Sequence, residues 1–239
     1  MKKIITMFMI LIVLSCSFAS AVLIDVNVAV PKDETLVFPD LQEVSKDRWG
    51  YIEKDRVTGE TLYKYHRAIN EILKASSIGL LEGYEDGTFR PNNTISKAEF
   101  LKLAIILSTN RNFDFSAIPT NLNHWSAPYV AVAEMQNVID KGEYNDYNLN
   151  EPITRIEMIC ILSKIQINMK GISQYRDAEL PAYIDIDTLT EEEKELLLHA
   201  ARYELMSDMF ERNENGQYTI RPYDNLTRGE AAMAIMRIY

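Results

Sequence analysis

Three short segments of this chain share one pattern: a Ser or Thr, a basic residue, any residue, and then Glu. They occupy residues 96–99, 154–157 and 227–230. Ser/Thr-x-x-Glu is a capping box, in which the hydroxyl and the carboxylate accept hydrogen bonds from backbone N–H groups at the start of a helix. An apolar run follows each box, so the sequence predicts three helices that begin at Ser96, Thr154 and Thr227.

The basic residue of each box, Lys97, Arg155 or Arg228, stands in the first turn of its predicted helix. A helix N-terminus carries partial positive charge and prefers anions, so a cation there is mildly unfavourable. Three such placements are consistent with helix starts whose free N–H groups and cations bind an anionic ligand. The alternative is that only the caps matter and that the cations are solvated. The spacing does not decide between the two.

The chain is predicted to be mainly α. The segments after the boxes, residues 100–107, 158–167 and 231–239, are apolar almost all round, as in helices that pack together in a central bundle. Further helices are predicted over residues 65–75, 126–139 and 190–209, with Ser126 and Thr190 as N-caps. Residues 57–61 predict a hairpin turn and residues 22–37 an extended lead, so short strands are also expected.

Residues 1–21 have the pattern of a secretory signal peptide, with Lys2 and Lys3 before a short apolar run. The run is too short for a transmembrane helix. Cys16 offers an alternative, because the residues before it resemble a bacterial lipoprotein box. Removing residues 1–21 takes away two lysines and no acid, so the formal net charge becomes more negative than −10. An acidic chain argues against nucleic acid and anionic membrane as partners.

No catalytic or metal-binding pattern stands out in the sequence. The three histidines share no spacing with cysteines or acids that a metal site would need. The acidic run Glu191, Glu192 and Glu193 has the pattern of a helix first turn. Cys160 lies in an apolar helical segment and is expected to be a buried hydrophobic side chain. We therefore expect no enzymatic activity, no cofactor and no metal.

The residues around the first box resemble the signature of the S-layer homology (SLH) domain. That signature has Phe-x-Asp, a later Trp, a Gly-Tyr-x-Asp-Gly-Thr-Phe-x-Pro turn, and then Ile-Thr-Arg-Ala-Glu. The first copy supplies Phe38, Asp40 and Trp49, the turn over residues 83–91 and the box over residues 95–99. The later copies are degenerate. The second retains residues 124–125 and 153–157, and the third retains residues 183–185, 216 and 226–230.

This resemblance implies three SLH modules, over residues 38–108, 109–170 and 171–239, in a pseudo-threefold unit around a central helical bundle. It also implies non-covalent attachment to the bacterial cell envelope at the cell surface. The ligand would be an anionic secondary cell-wall polysaccharide, often pyruvylated, or peptidoglycan. The ligand would lie in grooves between modules.

The resemblance implies a set of ligand-binding residues. They are Arg155, Arg228, Lys97, Gly83, Gly87, Thr88, Trp49, Trp125, Asp40 and Asp185. Lys97 departs from the Arg of the pattern and lacks its bidentate fork. Gly229 replaces the Ala of the pattern, which leaves room for close approach of a ligand. Core packing is the favoured alternative for the two tryptophans, and a hydrogen bond to the following turn is the favoured alternative for the two aspartates.

A second hypothesis is a structural or assembly protein whose degenerate repeats contact another surface protein or further copies of itself. Lys97 and the loss of a turn glycine in the second copy motivate it. A third hypothesis, a wall-modifying hydrolase, would need a pair of carboxylates in a cleft. No acid pair in the sequence stands out from the helix caps.

Overall fold

The structure, a computed structural model, is mainly α, as predicted. It describes residues 38–41, 50–54, 57–58, 61–109, 113–172, 180, 182–206, 211–213 and 215–239. The helices are Ile69–Ser77 (α1), Lys97–Ser108 (α2), Ala127–Met135 (α3), Arg155–Lys164 (α4), Glu191–Arg202 (α5) and Arg228–Ile238 (α6). A π-helical turn, Ile165–Met169, extends α4, and 3-10 turns lie at Pro39–Leu41 and Phe115–Ala117.

Two short antiparallel hairpins complete the secondary structure of the described residues. Gly50–Lys54 (β1) pairs with Thr61–His66 (β2), which confirms the hairpin predicted around residues 57–61. Glu211–Arg212 (β3) pairs with Tyr218–Thr219 (β4). The predicted signal peptide over residues 1–21, Cys16, the predicted lead over residues 22–37 and Trp49 lie outside the described residues.

All three capping boxes form as the sequence predicts. The glutamate carboxylate of each box accepts the N–H of its own N-cap residue, at 2.9 Å for Ser96, 2.7 Å for Thr154 and 3.0 Å for Thr227. In return each N-cap hydroxyl accepts the N–H of the glutamate. Thr190 forms a fourth capping box at the start of α5. These reciprocal bonds define where the four helices begin.

Ser126 does not cap α3, so that part of the prediction is wrong. Its side chain makes no capping bond, and its backbone is helical (φ −84°, ψ 0°) rather than extended. The hydroxyl instead lies 2.8 Å from Nδ1 of His124. Pro128, in the first turn, does match the predicted helix start.

Three buried residues that precede the boxes join the three helix starts in a closed ring of backbone hydrogen bonds. Ile95 N donates to Leu226 O at 3.1 Å, Leu226 N donates to Ile153 O at 2.8 Å, and Ile153 N donates to Ile95 O at 3.0 Å. Their side chains are at most 1% exposed. Because each member donates to one neighbour and accepts from the other, the ring holds the three helix starts at one point.

The helices pack in pairs that follow the same cyclic order. α2 packs on α3, α4 on α5, and α6 on α1, and α2 also contacts α4 and α6. Each helix that follows a box therefore packs against the helix before the next box. Alanines of α6, such as Ala231 and Ala234, are fully buried. The predicted module boundaries remain predictions, although this order is compatible with them.

Three predicted helices have different bounds in the structure. α3 ends at Met135 rather than at residue 139, and Asn137 just after it has a left-handed φ of 52°. Residues 65 and 66 belong to β2, and α1 begins only at Ile69. The imidazole of His66 accepts the N–H of Ala68 through Nδ1 at 3.1 Å, a local bond that turns the chain from strand into helix. α5 ends at Arg202, well before residue 209, because Glu204 adopts a left-handed φ of 55°.

The space beside Gly229 is occupied by the protein itself, which contradicts the expectation of room for a ligand. A Cβ atom there would lie 2.7 Å from Cε1 of His66 and 3.2 Å from the carbonyl oxygen of Pro91. The His66 ring is held by Ala68 N and by Asn92 Oδ1. The glycine therefore permits close packing of α6 against the turn before the first box.

We predict that Gly229→Ala destabilises the fold, although alanine favours a helix by about 1 kcal/mol over glycine. Overpacking against the His66 ring gives an expected net loss of roughly 1–3 kcal/mol in the free energy of unfolding. Urea unfolding followed by circular dichroism measures it. In a double-mutant cycle with His66→Ala, the cost of Gly229→Ala should shrink. An unchanged cost in that background would contradict the predicted collision.

Candidate functional site

The N–H groups at the three box helix starts are all bonded within the protein, so the expectation that they are free to bind an anion is wrong. The N-cap and the third helical N–H groups are used by the capping boxes. The first and second helical N–H groups donate to the turn before the next box. These bonds are Lys97 N to Glu151 O (2.9 Å), Ala98 N to Leu149 O (3.0 Å), Arg155 N to Asp224 O (3.0 Å), Ile156 N to Pro222 O (2.9 Å), Arg228 N to Asn93 O (2.8 Å) and Gly229 N to Pro91 O (2.8 Å).

Each box cation also faces the glutamate of the next box. The N–O distances are 3.2 Å for Lys97 and Glu157, 2.7 Å for Arg155 and Glu230, and 3.9 Å for Arg228 and Glu99. The interpretation that these cations are simply solvated is therefore also wrong. They connect the three boxes through side chains in the same order in which the backbone bonds connect them.

Arg155 is the most buried of the three cations. Its side chain is 1% exposed, and it donates from Nε to Ile220 O at 2.6 Å and from NH1 to Glu230 Oε1 at 2.7 Å. A buried ion pair of this kind is strongly destabilising when only one partner is removed. These contacts give Arg155 a structural role, whatever its role toward a ligand.

Lys97 lies between two carboxylates. Its Nζ is 3.2 Å from Glu151 Oε2 and 3.2 Å from Glu157 Oε1. Partial burial acts to lower the pKa of Lys97, but the two carboxylates outweigh it and raise that pKa above its ordinary value. Lys97 therefore remains charged.

The turn before the first box uses several predicted ligand residues for its own structure. Asp40 accepts the N–H groups of Phe89 and Arg90 at 2.9 and 2.6 Å. Asp185 accepts the equivalent groups of Ile220 and Arg221 before the third box. Arg90 and Arg221 have left-handed φ values of 56° and 49°. The favoured alternative for the two aspartates, a bond to the turn, is thus present in the structure.

Gly83, Gly87 and Thr88 shape the same turn. A Cβ on Gly83 would lie 2.5 Å from Cε1 of Phe38, whereas Gly87 has φ +80° with open space around it. The Thr88 hydroxyl donates to Asp86 Oδ1 at 2.6 Å. Hydrogen bonds from Thr88 and Arg90 hold the pKa of Asp86 well below its usual range. None of these contacts tests whether the three residues also bind a ligand.

Trp125 is 54% exposed, so the favoured expectation that it packs in the core is wrong. It stands just before α3, beside His124, at a ring-centroid distance of 5.3 Å. Lys102 Nζ lies 5.9 Å from the centroid of the indole ring. An exposed tryptophan next to a cation is a surface on which a sugar ring can stack.

Trp125 and Arg228 line one cavity of about 500 Å³, which we call groove 1. Its other lining residues are Gly79, Leu80, Leu81, Glu82, Ile95, Glu99, Lys102, Leu103 and Ile106. Two hydrogen bonds hold the Arg228 side chain in this lining: Nε donates to Phe89 O at 3.0 Å, and Nη2 donates to Glu82 O at 2.9 Å. Groove 1 thus combines an exposed aromatic ring, two cations, the two carboxylates Glu82 and Glu99, and apolar side chains.

Lys102 is a lining residue that the sequence analysis missed. It stands on α2, three residues after the box glutamate Glu99, and therefore on the same helix face. That spacing is the signal that was available in the sequence. Among the predicted ligand residues that the structure describes, Arg228 and Trp125 line groove 1. Those that do not line it are Arg155, Lys97, Asp40, Asp185, Gly83, Gly87 and Thr88.

Comparison with known proteins is consistent with the resemblance. Residues 62–101, which contain β2, α1, the following turn and the first box, match the family model of the S-layer homology domain. This stretch of the chain is therefore similar to an SLH domain.

Two curated proteins show similarity over longer stretches. An amylopullulanase of Thermoanaerobacterium thermosulfurigenes is 24% identical over 194 residues, which cover 79% of this chain and 10% of that protein. An uncharacterized cell wall amidase of Bacillus anthracis is 30% identical over 98 residues, which cover 40% of this chain and 18% of that protein. The chain thus corresponds to a small part of each relative. Across the described part of the chain, no helix is both long and apolar enough to cross a membrane.

We predict that Arg155→Ala lowers the free energy of unfolding by about 3–5 kcal/mol, because Glu230 keeps its buried charge without its closest partner. Lys97→Ala should cost about 1 kcal/mol or less, since Glu151 is exposed to solvent. Urea unfolding of both variants measures the difference. Arg155→Lys serves as the control, because it keeps the positive charge and loses the planar guanidinium with its several N–H donors. Equal costs for Arg155→Ala and Lys97→Ala would contradict the structural role of the buried pair.

Proposed function

We propose that groove 1 binds an acidic sugar of a secondary cell-wall polymer and thereby holds the chain at the cell surface. The observation that carries this proposal is the exposed indole of Trp125 beside Lys102, in the same cavity as Arg228. The large exposed area of Trp125 sets it apart from aromatic side chains that are fully buried, such as Phe89 and Phe100.

The aromatic ring accounts for the sugar part of this ligand. The faces of sugar rings carry C–H groups that pack on an indole ring, while their hydroxyl groups remain available for hydrogen bonds. The apolar side chains Leu80, Leu103 and Ile106 extend the contact surface below Trp125. A volume of about 500 Å³ falls within the range of roughly 300–1,000 Å³ that is usual for small-ligand sites.

The two cations of groove 1, Arg228 and Lys102, account for the acidic group of the proposed ligand. Arg228 is held by two backbone carbonyls, so its guanidinium is oriented before any ligand arrives. Preorganisation of this kind lowers the entropy that binding costs. Lys102 adds an ammonium group to the groove, 5.9 Å from the centroid of the Trp125 ring. A carboxylate between the two, such as that of a pyruvate ketal, fits this pair.

We further propose that this chain acts by binding and carries no catalytic activity of its own. The carboxylates of groove 1 are Glu82 and Glu99, and Glu99 is committed to the Ser96 cap. The similarity to an amylopullulanase and to a cell wall amidase covers a small part of those proteins. It therefore supports a shared binding segment better than a shared reaction. A protein partner instead of glycan remains the competing hypothesis.

We predict that Trp125→Ala and Lys102→Ala each weaken co-sedimentation of the purified protein with cell-wall sacculi about tenfold or more, because stacking and charge contacts are lost. Chemical removal of the secondary polymer from the sacculi should abolish binding of the unchanged protein. Arg155→Ala is unsuitable for this assay, because that side chain is buried and structural.

Tyr147→Ala and Lys141→Ala are matched controls, since both residues are exposed and lie outside groove 1. They should bind sacculi like the unchanged protein. Undiminished binding of Trp125→Ala and Lys102→Ala would overturn the assignment to groove 1. Binding to stripped sacculi would identify peptidoglycan as the ligand, and absence of binding to both would favour a protein partner.

A further inference from the structure

The guanidinium of Arg228 contacts two aromatic rings that are not part of the groove 1 lining. Its Cζ atom lies 4.9 Å from the ring centroid of Tyr84 and 4.7 Å from that of Phe89. Both distances are within the roughly 6 Å over which a cation is attracted to an aromatic ring. Phe89 is fully buried, whereas Tyr84 is 37% exposed. Because Tyr84 is partly exposed, its ring can be replaced without leaving a cavity in the core.

The hydrogen bonds of Arg228 occupy one edge of its guanidinium and leave Nη1 for a ligand. Nε donates to Phe89 O at 3.0 Å, and Nη2 donates to Glu82 O at 2.9 Å. The third nitrogen, Nη1, lies 3.9 Å from Glu99 Oε1, which is longer than a hydrogen bond. Because both bonds lie on one edge of the planar group, contacts with aromatic rings oppose its rotation about that edge.

Tyr84 is held in turn by a residue of its own turn. Arg90 Cζ lies 4.0 Å from the centroid of the Tyr84 ring. The Arg90 side chain is fixed by two hydrogen bonds, from Nη2 to Asp86 Oδ2 at 2.7 Å and from Nε to Thr88 Oγ1 at 3.1 Å. The salt bridge with Asp86 offsets the charge of Arg90, which allows two guanidinium groups to contact one ring.

Arg155, the equivalent residue of the second box, shows the effect of a close ion pair. Its Nη1 lies 2.7 Å from Glu230, and its side chain is 1% exposed. Arg228 lies 3.9 Å from the equivalent carboxylate, Glu99, and contacts Tyr84. An aromatic ring attracts a cation without neutralising its charge. Arg228 therefore keeps a positive charge that the carboxylate of a ligand can meet.

We propose that Tyr84 is a positioning residue of groove 1, whose ring holds the Arg228 guanidinium so that Nη1 meets the acidic group of the ligand. Arg90 holds the ring of Tyr84 in this position. Tyr84 acts through Arg228 rather than on the ligand, because it is not part of the groove lining. Since this role depends on the function proposed for groove 1, it adds a residue to that site and not a second site.

The test is co-sedimentation of the purified protein with cell-wall sacculi. Tyr84→Leu should weaken binding roughly three- to tenfold, as expected for the loss of one cation–ring contact. Tyr84→Phe keeps the ring and should retain the binding that Tyr84→Leu loses. In an Arg228→Gln background, Tyr84→Leu should cause no further loss, because its effect passes through Arg228. Tyr147→Leu is the matched control at an exposed tyrosine outside groove 1, and it should bind like the unchanged protein.

A second measurement needs neither a ligand nor a folded Arg228→Gln variant. The ¹⁵N–¹H NMR signal of Arg228 Nε should shift in Tyr84→Leu and stay in place in Tyr147→Leu, because the ring current of Tyr84 acts on that group. An unshifted signal in Tyr84→Leu would overturn the proposal.

The binding results separate this role from the function of groove 1. Weakened binding of Trp125→Ala with unchanged binding of Tyr84→Leu would overturn the role of Tyr84 alone. Equal losses for Tyr84→Phe and Tyr84→Leu, or the same loss for Tyr84→Leu with and without Arg228→Gln, would also overturn that role. Undiminished binding of both Trp125→Ala and Tyr84→Leu would overturn the assignment to groove 1 and the role of Tyr84 together.

Discussion

The fold depends on how the first N–H groups of three helices find acceptors. An α-helix leaves four such donors unsatisfied at its start. In α2, α4 and α6 two of the four are used by the capping box, and the other two donate to the turn before the next box. Each helix start thus needs a neighbouring segment to complete it. The ring of backbone hydrogen bonds among Ile95, Ile153 and Leu226 joins the three helix starts at the centre.

The same constraint moves ligand binding away from the helix ends. The sequence predicts an anion site made of the box cations and free N–H groups, but those N–H groups already have acceptors, and the cations face glutamates of neighbouring boxes. Arg228 keeps an approach to solvent because it lines groove 1, whereas Arg155 is enclosed. Arg155 and Arg228 occupy equivalent positions in their boxes, yet their roles differ because their surroundings differ.

Groove 1 and a second cavity beside the second box, which we call groove 2 and whose lining includes Glu157, Cys160 and Lys164, show the consequence at the surface. The shared frame gives both a glutamate from a box and apolar residues from the preceding turn. Two features then set the net charge of each groove. One is the residue a helical turn after the box glutamate, which is Lys102 in groove 1 and Cys160 in groove 2, and the other is the start of the facing helix. Repetition of backbone geometry leaves side chains at the groove free to diverge, because the hydrogen bonds that hold the frame are largely made by the backbone and the capping boxes.

Local patterns in the sequence determined the mainly α class, the four capping boxes and the hairpin around residues 57–61, because short-range hydrogen bonds and residue propensities govern those features. The bounds of α1 and α5 differed from prediction, since single contacts of His66 and a left-handed Glu204 ended the regular structure. Only the tertiary structure decided that Arg155 is buried, that Trp125 is exposed, that Lys102 joins Arg228 in one groove and that His66 fills the space beside Gly229. Those outcomes depend on residues far apart in sequence, brought together by packing that no local pattern encodes.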